Sequence, residues 1–270
     1  MSKIIAVVNQ KGGVGKTTTS INLSTAFAAI GKSTLLIDLD PQGNASTGLG
    51  FSYKSRAKNI YNVLLNGDSI FSSIFNTEVP GLSLISSTVD LSAAEIELSN
   101  MEKREFVLKN ALAEIVNDYE YVMIDCPPSL GLLTINSLAA ANSIIIPLQC
   151  EFFALEGLSH LIKTVELIKK HINPHLYIEG IILTMYDKRN KLSEQVEIEI
   201  RKYLKDDVYK TIVPRNVRLS EAPSHGKPAI VYDLKCSGSQ AYISLAREVL
   251  AKQLKTNNIE KEVELAKYEK

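Results

Sequence analysis

Short apolar runs alternate with amphipathic stretches along this chain, as in folds that alternate strands and helices. The apolar runs are bounded by Gly, Pro, Asn or Asp, which is typical of buried parallel strands. Helical periodicity fills the intervals between them and indicates two helices within residues 91–116. The pattern therefore predicts an α/β fold whose mostly parallel, twisted sheet carries helices on both faces. The predicted strands are 3–8, 33–37, 82–85, 121–124, 143–148, 177–184 and 208–212, and the clearest helices are 16–30, 158–172 and 239–254.

Composition agrees with one large domain. A chain of 270 residues with 45% hydrophobic residues can bury a large core, so we expect a single domain over residues 1–255 and a charged tail over 256–270. Lys plus Arg and Asp plus Glu both number 30, so any binding of nucleic acid or membrane would need a local patch. The first residues enter a strand without a signal segment, and apolar runs stay short of a membrane span, which predicts a cytoplasmic protein.

The three cysteines lack the spacing of a metal site or a disulfide framework. They are Cys126, Cys150 and Cys236. An odd number of scattered cysteines is typical of reduced thiols. Because Cys126 and Cys150 directly follow apolar strands, we expect both to be buried.

A glycine-rich loop joins the first strand to the first helix and has the chemistry of a phosphate site. Glycines let backbone N–H groups face a polyphosphate, and the helix N-terminus adds a positive dipole end. We expect Lys16 to contact the terminal phosphates and the Thr17 hydroxyl to bind Mg²⁺, which prefers oxygen ligands. The alternative is a plain glycine-rich turn with two solvated lysines. The loop is Gln10-Lys11-Gly12-Gly13-Val14-Gly15-Lys16-Thr17-Thr18.

This loop departs from the ordinary P-loop pattern because Gln10 stands where that pattern has its first glycine. It matches the deviant Walker A form K-G-G-x-G-K-[ST], so the chain resembles the ParA/MinD family of P-loop ATPases, and ParA/Soj-type chromosome-partitioning ATPases in particular. The resemblance covers residues 1–250. It implies that ATP and Mg²⁺ bind at residues 11–18, and that Lys11 crosses an ATP-dependent homodimer interface to the partner's nucleotide.

Carboxylates follow two of the predicted strands, at the sheet edge where α/β proteins bind ligands. The segment Asp38-Leu39-Asp40-Pro41-Gln42-Gly43-Asn44 is by itself ordinary turn chemistry, but it is similar to the ParA switch I. That similarity implies that Asp40 orients the attacking water, and that Lys11, Lys16 and Asp40 are the catalytic residues. Tyr121 to Pro128 resembles a Walker B strand with switch II, which implies that Asp125 holds the Mg²⁺ shell through a water.

Two further stretches take their meaning from the resemblance. Met185, Pro214 and Asn216 follow predicted strands and correspond to positions where the family builds its purine pocket. The stretch C-E-x-x-A-L-E-G at residues 150–157 is similar to one near the family's dimer interface. Its Phe152 and Phe153 fit either that interface or ordinary core packing.

Basic residues cluster after the last two predicted strands. From charge alone, an ordinary solvated surface is the simpler interpretation. The resemblance implies nonspecific binding of double-stranded DNA through phosphate contacts, which would weaken steeply with salt. Because the phosphate loop follows the first strand directly, we expect no helix-turn-helix segment and no operator recognition. The candidate DNA contacts are Lys188, Arg189, Lys191, Arg215, Arg218 and Lys227.

The function implied is that of a partitioning ATPase. ATP would drive face-to-face dimerisation and DNA binding on the nucleoid, and hydrolysis stimulated by a ParB-type centromere-binding protein would reset the cycle. A MinD-like membrane-associated ATPase is a second reading, but the alternating charges of the tail and Pro41-Gln42-Gly43 disfavour it. The sequence does not distinguish chromosome partitioning from the function of a cargo-positioning ATPase that uses another adaptor. An electron carrier like the nitrogenase iron protein would need two cysteines at a shared dimer face.

Overall fold

The computed structural model describes residues 2–268, with side chains for 2–254. Its strands form one sheet in the order β3-β4-β2-β5-β1-β6-β7-β8, in which only the short edge strand β3 pairs antiparallel among the described residues. The predicted mostly parallel α/β sheet is confirmed. The strands are β1 Lys3–Val7, β2 Thr34–Asp38, β3 Ile74–Asn76, β4 Leu82–Ile85, β5 Tyr121–Asp125, β6 Ser143–Gln149, β7 Tyr177–Tyr186 and β8 Val208–Pro214.

Helices cover both faces of this sheet. One layer contains α1, α2, α9, α10 and α11, and the other contains α3 to α8. Helix α7 illustrates the pattern, because its buried Leu158, Leu161 and Val165 share one side. The helices are α1 Lys16–Ala29, α2 Asn44–Gly48, α3 Ile60–Leu65, α4 Ala94–Ser99, α5 Val107–Leu112, α6 Leu132–Ala140, α7 Ala154–His171, α8 Lys191–Leu204, α9 Val217–Glu221, α10 Ala229–Tyr232 and α11 Ser237–Tyr268.

The central strand β1 divides its side chains between two apolar layers. Ile4 and Ala6 contribute to the layer under α3 to α8, and Ile5 and Val7 to the layer under α1 and α11. A strand buried on both faces has this period of two with apolar residues at every position. The two layers fix β1 between β5 and β6, and so fix the start of the loop that follows it.

Several elements differ from the sequence prediction. The structure adds the edge strand β3 and the helices α6 and α8, and the helix predicted over 158–172 begins earlier, at Ala154. The last helix was predicted to end at residue 254, but its backbone continues to Tyr268 because no Gly or Pro interrupts residues 255–268. The side chains of the predicted charged tail lie outside the described side chains.

The cysteines are relevant to the electron-carrier alternative, and the helix lengths are relevant to membrane insertion. Cys126 and Cys150 are buried in the apolar layer under α3 to α8, as predicted, and all three cysteines are free thiols. Among the described residues, no helix combines the length and apolar character needed to cross a membrane.

Candidate functional site

The loop between β1 and α1 depends on two glycines in left-handed backbone conformations. Gly13 has φ 74° and Gly15, which caps α1, has φ 88°. A side chain is strained in this region, so the loop needs glycine at these positions. Because a glycine rather than a side chain caps α1, the N–H groups of its first turn can serve an anion. The Thr184 hydroxyl donates to the Val14 carbonyl oxygen at 2.7 Å and ties the loop to β7.

Lys16 lies inside this loop rather than on its surface. Its side chain is only 7% exposed, and its Nζ donates to the Lys11 carbonyl oxygen at 3.2 Å. Burial lowers the pKa of Lys16, while the nearby Asp125 and Asp40 raise it. The ammonium is thus held beneath the glycines, where a phosphate bound by the loop would meet it.

Lys11 points away from the loop and forms an ion pair with Glu151 of the same chain. Its backbone N–H donates to Asn9 Oδ1 at 2.9 Å. Next to Glu151, Phe152 and Phe153 are 75% and 67% exposed and make an edge-to-face pair with ring centroids 5.0 Å apart. The core-packing interpretation of these two aromatic residues is therefore wrong. Exposed aromatic pairs are typical of surfaces that bind another protein.

Two buried carboxylates end the neighbouring strands β2 and β5. Asp38 and Asp125 are register partners in the sheet. Asp125 Oδ1 accepts a hydrogen bond from the Ser20 hydroxyl at 2.8 Å, and the Thr17 side chain also lies against this carboxylate. Its buried Oδ2 accepts no hydrogen bond of ordinary geometry from the described residues. Burial, reinforced by Asp38, raises the pKa of Asp125 to about 8. An orphaned carboxylate oxygen beside Thr17 fits an oxygen-binding divalent cation or its water shell.

Asp40 lies in the turn after β2 and is 6% exposed. Its Oδ1 accepts from the backbone N–H of Gln42 at 2.9 Å, and its carbonyl oxygen accepts from Gly43 at 2.9 Å. The backbone bond from Gly43 closes the turn, and the bond from Gln42 holds the carboxylate. The carboxylate faces the same cavity as Lys16 and Thr17.

That cavity has a volume of about 530 Å³ and lies at the carboxyl edge of the sheet. It unites residues that the sequence predicted separately for phosphate, catalytic and purine contacts. Lys11, Val14 and Asp125 are predicted site residues outside its lining, although Asp125 lies beneath it next to Thr17. The predicted residues in the lining are Gly12, Gly13, Gly15, Lys16, Thr17, Thr18, Asp40, Met185, Pro214, Arg215 and Asn216.

The purine-pocket candidates have distinctive backbone and side-chain geometry. Met185 has φ 48°, an uncommon conformation for a residue with a side chain and one that is frequent at binding sites. Asn216 caps α9 by accepting from the Arg218 N–H at 2.8 Å, and its Nδ2 donates to the Ser237 hydroxyl at 2.8 Å. The cavity wall at this end is therefore built from fixed strand ends.

Sequence reasoning missed several residues of the site. Ser20, which binds Asp125, lies one helical turn after Lys16, and that spacing was an available signal. Thr184 directly precedes the predicted Met185 and was overlooked. Tyr242 lines the cavity from the distant helix α11 and lies 3.1 Å from the Thr19 hydroxyl, and local sequence carries no signal for that contact.

The basic residues lie at the same sheet edge. Tyr186 and Pro214 are register partners, and the Arg215 N–H donates to the Tyr186 carbonyl oxygen at 3.1 Å, so the loops after β7 and β8 are adjacent. Two of the DNA candidates, Arg189 and Arg218, are ion-paired within the chain. Arg189 forms a bidentate pair with Asp187, and Arg218 lies 2.8 Å from Glu221 and 3.4 Å from Asp233. All six candidates, Lys188, Arg189, Lys191, Arg215, Arg218 and Lys227, are exposed.

Comparison with known proteins identifies the family of this chain. A family model described as an AAA domain matches residues 2–178. The chain is 53% identical to the chromosome partitioning protein ParA of Caulobacter vibrioides, over 93% of this chain and 95% of that protein. It is 54% identical to the sporulation initiation inhibitor protein Soj of Bacillus subtilis, over 93% of this chain and 99% of that one. This chain belongs to the ParA/Soj family.

Solved structures place the ParA/Soj fold in a wider group of nucleotide-binding proteins. Cobyrinic acid a,c-diamide synthase from Mycobacterium smegmatis, with bound ADP and magnesium, matches with a TM-score of 0.82 and 35% identity over 93% of this chain and 94% of that one. The family resemblance inferred from the deviant loop is confirmed.

Proposed function

We propose that this protein is a chromosome-partitioning ATPase whose nucleotide state controls dimerisation and DNA binding. The observation that carries the proposal is the convergence of a glycine-shaped loop, a buried lysine and a fixed carboxylate on one cavity, in a chain of the ParA/Soj family. The magnesium-nucleotide complex of the similar synthase structure supports the choice of ligand. ATP would lie with its phosphates on residues 11–18 and its base near Met185, Pro214 and Asn216.

Magnesium fits the polar end of this cavity. Thr17 would bind the ion directly, and Asp125 would hold it or its water shell through its buried Oδ2. When bound, the ion neutralises charge on the phosphate oxygens. Because the raised pKa of Asp125 results mainly from burial, a nearby cation would favour its ionised form.

Hydrolysis would depend on positioning and charge more than on covalent chemistry. Asp40, whose carboxylate is held by Gln42 and whose turn is closed by Gly43, would orient the attacking water. Lys16 would stabilise the charge that develops on the transferred phosphoryl group. Its burial strengthens that effect, because water does not screen a buried charge.

Lys11 would complete the site of a second copy of the chain. Its pairing with Glu151 keeps the ammonium on the surface beside Phe152 and Phe153, and away from its own cavity. We propose that this surface meets its counterpart in an ATP-bound homodimer, where Lys11 exchanges Glu151 for the partner's phosphates. An isolated subunit would then hydrolyse ATP slowly because its site lacks that lysine.

Double-stranded DNA would bind nonspecifically through the two basic loops. Their arginines would exchange the carboxylates of Asp187, Glu221 and Asp233 for DNA phosphates. A dimer presents two such surfaces, and the second binds at a high effective concentration, so the ATP-bound dimer would hold nucleoid DNA while the monomer releases it. A ParB-type centromere-binding protein would stimulate hydrolysis and reset the cycle.

The proposal is tested by measuring DNA binding of the purified protein with ADP, ATP and a nonhydrolysable ATP analogue across a salt series. We expect binding only in the two ATP-like states, without sequence preference and with strong salt dependence. Equal binding in all three states would contradict nucleotide control. Absence of binding at low salt would contradict the DNA role, and co-sedimentation with liposomes in the same samples would then test the membrane alternative.

A further inference from the structure

Arg56 is a buried cation whose hydrogen bonds all go to neutral oxygens. It is 6% exposed and follows the short 3₁₀ turn Tyr53–Ser55. Its Nε and Nη2 donate to the Phe51 carbonyl oxygen at 3.1 and 2.6 Å. A guanidinium has five N–H donors, and the remaining three are also used. They go to the carbonyl oxygens of Gly43 and Ser87 at 3.2 and 3.1 Å, and to the Thr47 hydroxyl at 2.7 Å.

Three of the four acceptor residues, Gly43, Thr47 and Phe51, lie in the Asp40 loop, defined as residues 40–51 with the short helix α2 inside it. The Gly43 N–H donates to the Asp40 carbonyl oxygen, and the Gly43 carbonyl oxygen accepts from Arg56. Gly43 has φ 62°, and a Cβ at this position would lie only 2.5 Å from Arg56 Nη1. The loop backbone therefore packs directly on the guanidinium, and one residue connects Arg56 to the turn that aims Asp40.

A second anchor holds the same loop from the strand side. Asp38 Oδ2 accepts from both the backbone N–H and the hydroxyl of Ser46, each at 2.7 Å. The Ser46 hydroxyl oxygen in turn accepts from the Ser87 N–H at 3.0 Å. Ser87 thus takes part in both anchors, which tie the loop to the segment after β4.

Arg56 stands apart from the cavity wall. The residues of this loop that line the cavity are Asp40, Gln42, Asn44 and Thr47. Arg56 acts on the loop through carbonyl oxygens and the Thr47 hydroxyl. Burial lowers the pKa of Arg56, with Asp38 opposing that effect, and hydrogen bonds from a charged donor are stronger than neutral ones.

We propose that Arg56 is a positioning residue for hydrolysis, which holds the loop so that the Asp40 carboxylate faces the nucleotide. The inference rests on the proposed ATPase function and adds a residue that does not touch the substrate. The side-chain hydrogen bonds of Arg56 go to Gly43, Thr47, Phe51 and Ser87, which lie outside the phosphate loop and α1. Its loss should therefore reduce turnover and leave nucleotide affinity close to the wild-type value.

The test compares Arg56→Lys, Arg56→Ala and a matched control, Arg201→Lys, in which the exchanged arginine pairs with Glu197 on α8. Lysine keeps the charge but cannot bond to Gly43, Thr47, Phe51 and Ser87 together. We expect kcat to fall about tenfold or more in both Arg56 variants with KM for ATP nearly unchanged, since small misplacements of reacting groups cost that much. Added guanidinium ion should partly restore kcat in Arg56→Ala.

Hydrogen exchange of residues 40–51 supplies a readout that is independent of ATP hydrolysis. We expect the amides of Gly43, Ser46 and Thr47 to exchange faster in Arg56→Lys than in the wild type or in Arg201→Lys. Unchanged exchange in this loop, or wild-type kcat in Arg56→Lys, would overturn the inference. An equal loss of nucleotide affinity and kcat would overturn it as well, because that result indicates a general structural role. Absence of hydrolysis by the wild type would instead contradict the proposed function.

Discussion

The phosphate loop and the basic loops lie on the same edge of the sheet but are built in opposite ways. In the phosphate loop the decisive lysine, Lys16, is buried, and left-handed glycines shape the backbone around it. In the basic loops the side chain of Arg189 is 89% exposed and pairs with Asp187, two residues away. The first region depends on backbone geometry, and the second on the net charge of a surface.

This difference predicts how each region tolerates substitution. A buried group with fixed partners cannot be replaced by a neighbour, so one change in the phosphate loop should remove its function. Exposed ion pairs contribute little to stability, and several cations share the surface, so changes there should act additively.

The largest effect is expected for Lys16→Ala. The loss of a buried ammonium that contacts phosphate should lower ATP affinity by roughly a hundredfold or more, because hydrogen bonds to charged groups contribute about 1.5–3 kcal/mol each. Binding of a fluorescent ATP analogue measures the change. Lys32→Ala is the control, since Lys32 is an exposed lysine paired with Glu120. Tight ATP binding by Lys16→Ala would contradict the assignment of the phosphate loop.

Asp40→Ala should separate binding from hydrolysis within the same region. We expect turnover to fall on the order of a hundredfold, the usual contribution of a positioned proton-accepting group, while ATP binding and ATP-dependent dimerisation persist. Phosphate release and light scattering give the two readouts. Asp118→Ala, which changes an exposed aspartate, serves as the control. Wild-type turnover in Asp40→Ala would assign the water-orienting role to another residue.

Charge reversal of Arg189 and Arg218 tests the additive character of the basic loops. Arg189→Glu with Arg218→Glu should still bind ATP and dimerise but should lose most DNA affinity, and the salt dependence of the remaining binding should be weaker. Lys54→Glu with Lys109→Glu applies the same charge change to exposed lysines outside these loops. Asp187→Asn should strengthen DNA binding slightly, because it frees Arg189 from its ion pair. Unchanged DNA affinity in the double Arg variant would contradict the DNA surface.

A smaller, pH-dependent effect is expected for Asp125→Asn. Burial raises the pKa of Asp125 to about 8, so the folded state binds the proton more tightly than the unfolded chain. Its favourable contribution to folding is complete below the unfolded pKa of about 4 and is lost as pH rises through about 8. Between these limits, without magnesium or nucleotide, the wild type should lose more thermal stability than Asp125→Asn. Parallel Tm profiles for the two proteins would contradict the raised pKa.

Much of the fold was predictable because seven of the described strands coincide with apolar runs that are flanked by turn residues. The edge strand Ile74–Asn76 was missed because it is only three residues long and lies in a stretch rich in serine and asparagine. Helix α8 was missed because many charged residues are interspersed with its apolar ones, although its buried Val196 and Ile200 have helical spacing.

The residues of the site also fall into two groups, those that a local sequence pattern predicts and those that it does not. Lys16 and Thr17 could be identified because a contiguous motif carries their chemistry. Arg56, Tyr242 and the exposure of Phe152 could not, because each depends on how distant segments pack. Local sequence specifies the loop, but tertiary structure determines which residues hold it in place.

The most direct test of the account is a mixing experiment with Lys11→Ala and Asp40→Ala subunits. Each variant alone should hydrolyse ATP slowly. In a mixed dimer the Lys11→Ala subunit keeps Asp40 and receives Lys11 from its partner, so one complete site forms. We predict an ATPase rate well above the sum of the separate rates, rising with the fraction of mixed dimers measured by energy transfer between labelled subunits. A rate equal to that sum, with mixed dimers present, would contradict a site shared between two chains.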